Sequence, residues 1–475
     1  MNRRTCIQRL ARLAFSLLFI LGISRLTGLG NPSTLAAHAQ SNMGWSEPAI
    51  LFADMVNSYK SSLVADQFGA AHLIWAVPDD ATYYYSRWNG EEWTTPIDVI
   101  AIPGDGELVG VPELVAASDG KLHLFWALEN IMHSWAWADA ADSARAWSTP
   151  EVIVFPEGFG AGPMGAREDL IGGLHLVYAV GRGNVYYVHS DDGLHWSEPS
   201  IVSQVIPDVN TSAPKLDIGQ DGRVHVVWNE WPTDGGPAQS NQVYYTHSAD
   251  GGETWTSPRQ LGGLADSGGN VLADEKGTVY LAWQAGISSS SEGRFLQRST
   301  DGGDNWETPV NFGRLKGQSG APSMALDSAG TLHLITGDGE YVYWDSQGIS
   351  QPLDLRPLYE QTENSRLVVV HGNQVLAVII PFFSEGLYYS VRQLPLPAAP
   401  ADKPPMQVTH AVTSTVVAEV TPIPTGVAIA TVSHSIASAT TDRPRGSFVP
   451  ALLLSVGLSL LLVVTVFIGQ TSRRR

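Results

Sequence analysis

The chain has 475 residues, of which 16% are charged, and its 28 basic and 47 acidic side chains give a formal net charge of −19 at pH 7. An acidic protein repels nucleic acid and anionic lipid, so the composition argues against both as partners. The only cysteine, Cys6, lies in an amino-terminal segment that we expect to be removed, which excludes disulfides and a cysteine nucleophile from the mature chain.

Residues 1–39 are predicted to be a secretory signal peptide. Several arginines, among them Arg3 and Arg9, precede an apolar run over residues 13–23, and small residues at Ala37 and Ala39 predict cleavage before Gln40. A retained amino-terminal anchor is the alternative, although the apolar run is short for a bilayer span.

Residues 40–394 are built from repeated units. Each unit contains an apolar strand with a related ending, and these strand ends serve as landmarks: Trp75, Trp126, Tyr178, Trp228, Trp283, Thr336 and Ile379. Hydrophobic alternation and turn residues divide a unit into about four short strands. A period of about 50 residues with this content predicts the blade of a β-propeller.

The two ends of the repeat region complement each other. The last unit, residues 366–394, stops after three strands, whereas the segment GWSEPAILF near the start of the mature chain resembles an isolated fourth strand. We therefore predict an all-β, seven-bladed propeller whose amino-terminal strand closes the last blade. A six-bladed ring is the alternative, because the sixth and seventh units are the most divergent.

Three units carry a related turn between their third and fourth strands, with the sequences SDDGLHW, SADGGETW and STDGGDNW. In such a turn the Asp accepts backbone hydrogen bonds, the Gly supplies a positive φ and the Trp packs beneath. This chemistry predicts a structural role. The defining residues are Ser190, Asp192, Gly193 and Trp196; Ser248, Asp250, Gly252 and Trp255; and Ser299, Asp301, Gly303 and Trp306.

These turns resemble the Asp-box (BNR) repeats of the sialidase-like β-propellers. The resemblance implies the propeller fold, and it raises the question of glycoside hydrolysis. A sialidase requires three arginines that grip a carboxylate, a tyrosine nucleophile with a glutamate partner, and an aspartate acid/base. The early Arg-Ile-Pro motif of that family is absent, and residues 51–62 contain no arginine. Whether the chain is an enzyme therefore stays open.

The order of strands in a blade defines two faces of the ring. The turns between strands one and two and the Asp-box turns share the turn face, while the connections between strands two and three and between blades share the loop face. We predict ligand binding on the loop face. The candidate residues are Glu230, Trp231, Arg182, Arg167, Glu168 and Arg366. Glu230 and Trp231 form the best pair, a carboxylate beside an aromatic ring that stacks on a sugar; the alternative is a solvated acid beside a packing tryptophan.

Five histidines recur at the same position of the second strand: His72, His123, His175, His225 and His333. Equivalent positions on separate blades do not converge, so we interpret them as packing residues and predict no metal site from them. No other metal-spaced cluster is present. No cofactor is predicted, and acidic rims leave Ca²⁺ as the one open case.

The carboxyl-terminal part of the sequence predicts where the protein is located. Residues 395–447 are rich in Pro, Thr, Ser and Ala and read as a stalk, residues 448–469 carry no charge over a length that spans a bilayer, and residues 470–475 form a basic cytoplasmic tail. A cleaved sorting signal has a similar shape. The expected product is a single-pass type I protein on the extracellular face of the membrane.

Charge and architecture together favour recognition. Five basic residues lie in 1–39, and six basic and three acidic residues lie in 395–475, so residues 40–394 carry a net charge of −27. The favoured function is a surface-anchored module that recognises a glycan or a protein without catalysis. The alternative is an exo-glycosidase of sialidase type or another extracellular glycoside hydrolase.

Overall fold

The computed structural model describes residues 43–400, except 54–59, 78–80, 103–109, 128, 156–160, 181–182, 204–208, 233–241, 263–265, 286–292, 314–319, 357–361, 363 and 382–385. The described residues form seven antiparallel sheets, and six of them take their strands in sequence order. Each sheet corresponds to one repeat unit. The prediction of an all-β propeller with seven blades is therefore confirmed, and the six-bladed alternative is wrong.

Blade 1 contains β2 (Lys60–Ala65), β3 (Ala71–Val77), β4 (Thr82–Trp88) and β5 (Ile97–Ala101). Blade 2 contains β6 (Glu113–Ala116), β7 (Lys121–Ala127), β8 (Ile131–Trp137) and β9 (Glu151–Val154), with a 3₁₀ helix at Ala144–Ala146. Blade 3 contains β10 (Ala161–Glu168), β11 (Leu174–Val180), β12 (Val185–Ser190) and β13 (Ser200–Ile201). Blade 4 contains β14 (Val209–Ile218), β15 (Val224–Pro232), β16 (Gln242–Ser248) and β17 (Arg259–Leu261).

Blade 5 contains β18 (Asp266–Ala273), β19 (Val279–Ala285), β20 (Gly293–Ser299) and β21 (Val310–Gly313). Blade 6 contains β22 (Ser323–Leu326), β23 (Leu332–Ile335), β24 (Glu340–Asp345) and β25 (Gly348–Ile349), and β26 (Leu353–Asp354) also pairs with β24. Blade 7 contains β27 (Arg366–Val370), β28 (Gln374–Ile379), β29 (Tyr388–Gln393) and β1 (Ala49–Ile50).

The first strand of every blade lies on the inside of the ring. The inner strands β2, β6, β10, β14, β18, β22 and β27 each contact the inner strands of both neighbouring blades, and β27 returns to β2. The ring is thus closed around a central channel. Seven separate apolar clusters fill the seven spaces between adjacent blades, which is how a repeat protein of this length dispenses with a single large core.

The landmark strands supply most of this apolar packing. Trp75 and Trp228 are completely buried, and Trp283 is nearly so. Each of the three stacks on an aromatic ring of the third strand in its own blade, for example Trp228 on Tyr244 with ring centroids 5.8 Å apart. The continuous apolar runs that predicted these strands therefore reflect two buried faces, one toward each neighbouring blade.

The amino-terminal strand closes blade 7, as predicted. Ala49 and Ile50 pair with Tyr389 and Tyr388 of β29. On either side of this short strand, the Ser46 amide donates to the Val391 carbonyl at 2.8 Å, and the Leu51 amide donates to the Leu387 carbonyl at 2.6 Å.

The predicted signal peptide, stalk, membrane helix and basic tail lie outside the described residues, apart from residues 395–400. Within the described part of the chain, no helix has the length and hydropathy needed to cross a membrane.

Candidate functional site

The three Asp boxes form turns on the turn face that are stabilised by side-chain hydrogen bonds. The Asp250 Oδ1 accepts a hydrogen bond from the Thr254 amide at 2.9 Å, and the Ser248 Oγ accepts one from the Gly252 amide at 2.8 Å. Asp192 and Asp301 accept equivalent backbone bonds. Hydrogen bonds from Thr254 lower the pKa of Asp250 to about 2, so this carboxylate stays ionised. These contacts agree with a structural role for the boxes.

Each intact box also contacts the preceding blade through aromatic rings. The Trp255 ring meets Tyr187 edge-on with centroids 5.4 Å apart, and the Tyr187 hydroxyl donates to the Gly251 carbonyl at 2.8 Å. A Cβ on Gly252 would lie 2.1 Å from the Tyr187 ring, so only glycine fits there. Trp306 packs on Tyr245 in the same way. The boxes therefore fasten blades to one another as well as shaping their own turns.

The repeated histidines belong to internal hydrogen-bond chains. His333 Nδ1 is bonded to the Tyr341 hydroxyl at 2.7 Å, and its Nε2 is 3.2 Å from Asp327 Oδ2. Blades 1 and 3 repeat this Asp–His–Tyr arrangement. Burial lowers the pKa of His225 to about 3, which keeps that ring neutral. These contacts agree with the interpretation of these histidines as packing residues.

Glu230 and Trp231 lie at the loop-face end of β15. Glu230 is buried and accepts a hydrogen bond from the Trp228 indole N–H at 2.7 Å. Burial raises the pKa of Glu230, and the indole bond partly offsets that rise. Trp231 is half-buried, and its ring stacks on no other aromatic ring of the described residues. The fold thus holds the Glu230 carboxylate through the Trp228 indole.

A second buried acidic group lies near the loop face between blades 5 and 6. The Arg294 guanidinium donates to Asp338 and to Glu340, and all three side chains are buried. The positive charge of one guanidinium stabilises both carboxylates inside the protein, and breaking such a group leaves an unpaired buried ion.

The central channel is lined by one residue from each blade at equivalent positions. Each of these residues lies thirteen positions before the landmark of its own unit, and each is opposite the residue that precedes the landmark. The seven, which we call the channel ring, are Ser62, Glu113, Gly165, Lys215, Asn270, Ser323 and Arg366. All except Gly165 line one cavity of ≈ 90 Å³.

Two ion pairs cross the channel between blades. Lys215 Nζ donates to Glu113 Oε2 at 2.9 Å, joining blades 4 and 2. Arg167 also lines the cavity, and its Nε donates to Asp217 Oδ1 at 3.0 Å. Burial alone would lower the pKa of Arg167, but the negative charges of Asp217 and Glu113 outweigh this effect and raise that pKa. Gly165 leaves room here, because a Cβ at that position would lie 3.0 Å from the Lys215 Cα.

Bulges in the inner strands set up this ring. In β14 the register shifts between Ser212 and Lys215, and Ala213 has a φ of 47°, in the left-handed region. Strand β18 has a comparable shift just before Asn270. A bulge re-aims the side chain that follows it, and an L residue at positive φ carries backbone strain. Backbone strain at Ala213 therefore accompanies the placement of Lys215 in the channel ring.

The candidate residues separate into three places. Arg167 and Arg366 are brought together in the channel, while Glu230 and Trp231 lie at the loop face of blade 4. The loop-face position of Glu168 is wrong: Glu168 ends β10 at the turn face, where its carboxylate accepts bonds from the Ser118 amide and hydroxyl. Arg182 lies outside the described residues.

Sequence reasoning missed Glu113 and Lys215, which share the channel with the two arginines. The available signal was the thirteen-residue spacing to the landmark, which places one residue of every unit in the ring. No group of three or more His, Cys, Asp or Glu side chains suited to a metal occurs among the described residues. The Ca²⁺ prediction stays untested.

A family model described as a BNR repeat-like domain matches residues 79–334, more than half of the chain. The chain belongs to this BNR repeat-like family. The resemblance inferred from the three Asp boxes is thereby confirmed. A search of curated proteins finds no match to this chain.

Solved structures share the fold at low identity. The BP39L lectin from Burkholderia pseudomallei is 13% identical with a TM-score of 0.54, over 73% of this chain and 99% of the lectin. A PL25 ulvan lyase bound to GlcA(1-4)Rha3S is 13% identical with a TM-score of 0.51, over 72% and 94%. A protein of unknown function from Dyadobacter fermentans is 14% identical with a TM-score of 0.50, over 74% and 99%. At these identities the likeness establishes the fold alone.

Proposed function

We propose that this BNR repeat-like protein is a non-catalytic recognition module that binds a glycan on its loop face, with Trp231 as the aromatic platform. The observation that carries the proposal is the partial exposure of the Trp231 ring. The landmark tryptophans are buried against other rings, whereas Trp231 is half-buried at the end of β15 and stacks on no ring of the described residues. Sugars present apolar faces that stack on such a ring.

Three carboxylates near the loop face support recognition over hydrolysis. A glycosidase flanks the scissile bond with two carboxyl groups that are available to the substrate. Glu230 is buried against the Trp228 indole, and Asp338 and Glu340 are both bound to Arg294. Each of these three groups already serves the fold as a hydrogen-bond acceptor.

The structural neighbours are consistent with a carbohydrate ligand. One is named as a lectin, and another is a lyase whose structure contains a saccharide. Their low identity transfers no residue roles, so the proposal rests on Trp231 and not on them. Anchoring on the extracellular face of the membrane is part of the proposal and derives from the sequence of residues 448–475; cell fractionation and surface protease accessibility test it.

A glycan array probed with the purified full-length protein tests the function. We expect binding to a defined set of glycans, and we expect Trp231→Ala to abolish it. Trp135→Ala is the matched control, because Trp135 is also half-buried but lies near the turn-face end of β8. Equal binding by wild type and Trp231→Ala would place the ligand elsewhere. Turnover of a fluorogenic glycoside that is lost in Glu230→Gln would replace recognition with hydrolysis.

A further inference from the structure

The cavity in the central channel is lined by more positive than negative side chains. Lys215, Arg167 and Arg366 line the cavity, and the carboxylates bound to them are Glu113 and Asp217. The two ion pairs use both carboxylates, so one arginine is left over. That residue is Arg366, within a domain that is otherwise strongly acidic.

Arg366 makes only neutral contacts. Its Nε donates to the Ser61 carbonyl at 3.1 Å, and one terminal nitrogen donates to the Ser365 carbonyl at 3.2 Å. It forms no ion pair with any described carboxylate. Burial lowers the pKa of Arg366, and the charge of Glu113 only partly opposes this effect. A half-buried guanidinium with no carboxylate partner among the described residues is costly to desolvate, and an anion in the cavity would offset that cost.

A second, independent observation lies beside it. Ser61 lines the same cavity and is 1% exposed, and its hydroxyl has no hydrogen-bond partner among the described residues. Buried hydroxyls are nearly always satisfied, so an orphaned one signals a bound water or ion. The hydroxyl and the guanidinium are adjacent in the fold, because Arg366 is hydrogen-bonded to the backbone of Ser61 itself.

We propose that the central channel holds one small oxyanion, bound by Arg366 and the Ser61 hydroxyl and attracted by Lys215. The cavity of ≈ 90 Å³ is small beside the roughly 300–1,000 Å³ of ordinary ligand pockets, which suits a carboxylate, sulfate or phosphate group better than a sugar ring. The forked guanidinium matches the geometry of such an oxyanion. A metal cation is disfavoured by the surplus positive charge. The proposal does not depend on glycan binding at Trp231.

Equilibrium dialysis of the full-length protein against radiolabelled sulfate tests the site. We expect saturable binding of one sulfate per chain. Arg366→Gln should weaken it by about tenfold or more, because a charge-assisted bond is lost. Glu113→Gln should strengthen it, because a competing negative charge is removed. Arg145→Gln, an exposed arginine of the 3₁₀ helix, should leave the affinity unchanged.

The opposite signs of the Arg366 and Glu113 variants separate a real site from general salt effects, which would affect all variants alike. If Arg366→Gln fails to fold, Ser61→Ala provides the second test and should bind more weakly with an unchanged circular dichroism spectrum. No saturable binding by wild type, or equal affinities in Arg366→Gln and Arg145→Gln, would overturn the proposal.

Competition identifies the source of the oxyanion. Displacement of sulfate by glucuronate would show that the acid group of a sugar reaches the channel. Retention of sulfate in excess glucuronate would assign the site to a free ion. Loss of glycan-array binding in Trp231→Ala with unchanged sulfate affinity would show that the loop-face site and the channel site are separate.

Discussion

The Asp-box contact between blades can be measured with two neighbouring glycines of one turn. Gly251 and Gly252 both have positive φ, at 75° and 96°. A Cβ on Gly251 meets nothing within 4 Å, whereas a Cβ on Gly252 would lie 2.1 Å from Tyr187 Cε1. Gly251→Ala therefore introduces backbone strain alone, and Gly252→Ala adds a collision with the preceding blade.

The magnitude follows from the contacts of Tyr187. Each alanine at positive φ costs about 1–2 kcal/mol. The Tyr187 ring is 2% exposed and is bonded to the Gly251 carbonyl and to His175 Nδ1. Moving it forfeits about 1 kcal/mol for each bond and overpacks the interface by about 1–3 kcal/mol. Allowing for partial recovery of these contacts, Gly252→Ala should be less stable than Gly251→Ala by about 2–4 kcal/mol.

Guanidinium unfolding followed by near-ultraviolet circular dichroism measures the free energy of unfolding of both variants. Pairing Gly252→Ala with Tyr187→Ala completes the test, because removal of the ring should reduce the Gly252→Ala penalty to that of Gly251→Ala. If the two single variants agree within about 0.5 kcal/mol, the inter-blade contact contributes nothing and the reasoning is refuted.

Two further expectations concern buried carboxylates. Glu230→Gln keeps an oxygen that accepts the Trp228 indole hydrogen bond and removes the charge that burial disfavours. The stability of this variant at neutral pH should therefore equal or exceed that of wild type. Glu230→Ala leaves the indole N–H without an acceptor and should lower the free energy of unfolding by about 1–3 kcal/mol. Burial acts to raise the pKa of Asp327, but hydrogen bonds from His333 and from backbone amides outweigh it and lower that pKa below 3.8. The carboxylate therefore stabilises the fold above its unfolded pKa and loses this effect as pH falls through the lower folded value. Asp327→Asn should reduce Tm at about pH 7 and have little effect at about pH 2.

Thermal melts across this pH range measure both expectations. If Glu230→Gln destabilises the protein as much as Glu230→Ala does, the charge of Glu230 and not its acceptor oxygen supports the fold. If the Tm difference of Asp327→Asn persists in acid, Asp327 acts through its geometry and not through its ionisation.

The blades and the Asp boxes were predictable because their signals are local. Alternation along a strand and the residues of one turn are visible within a few positions, and seven copies at a regular spacing establish the ring. Closure by Ala49–Ile50 was predictable for the same reason, since a lone fourth strand and an incomplete last unit are both read from short segments.

The channel was not predicted because its members are separated by whole repeat units. Glu113 and Lys215 are 102 positions apart, yet their side chains are hydrogen-bonded. The face of Glu168 was misjudged for a local reason. The segment AGPMG at the start of β10 has glycines and a proline and no clear alternation, so it does not read as a strand. Its pairing with β11 moves the end of the strand, and Glu168 with it, to the turn face.

The closing strand determines when the molecule can finish folding. The Val391 amide donates to the Ser46 hydroxyl across 345 positions of sequence, so residues from both ends of the propeller must be present before blade 7 is complete. Six blades can form one after another during synthesis, but the seventh waits for the last strand to emerge. Until then the edges of β28 and of the amino-terminal strand β1 have no partner. Ring closure is thus coupled to the synthesis of β29, and a truncation before residue 388 should yield an open, aggregation-prone ring.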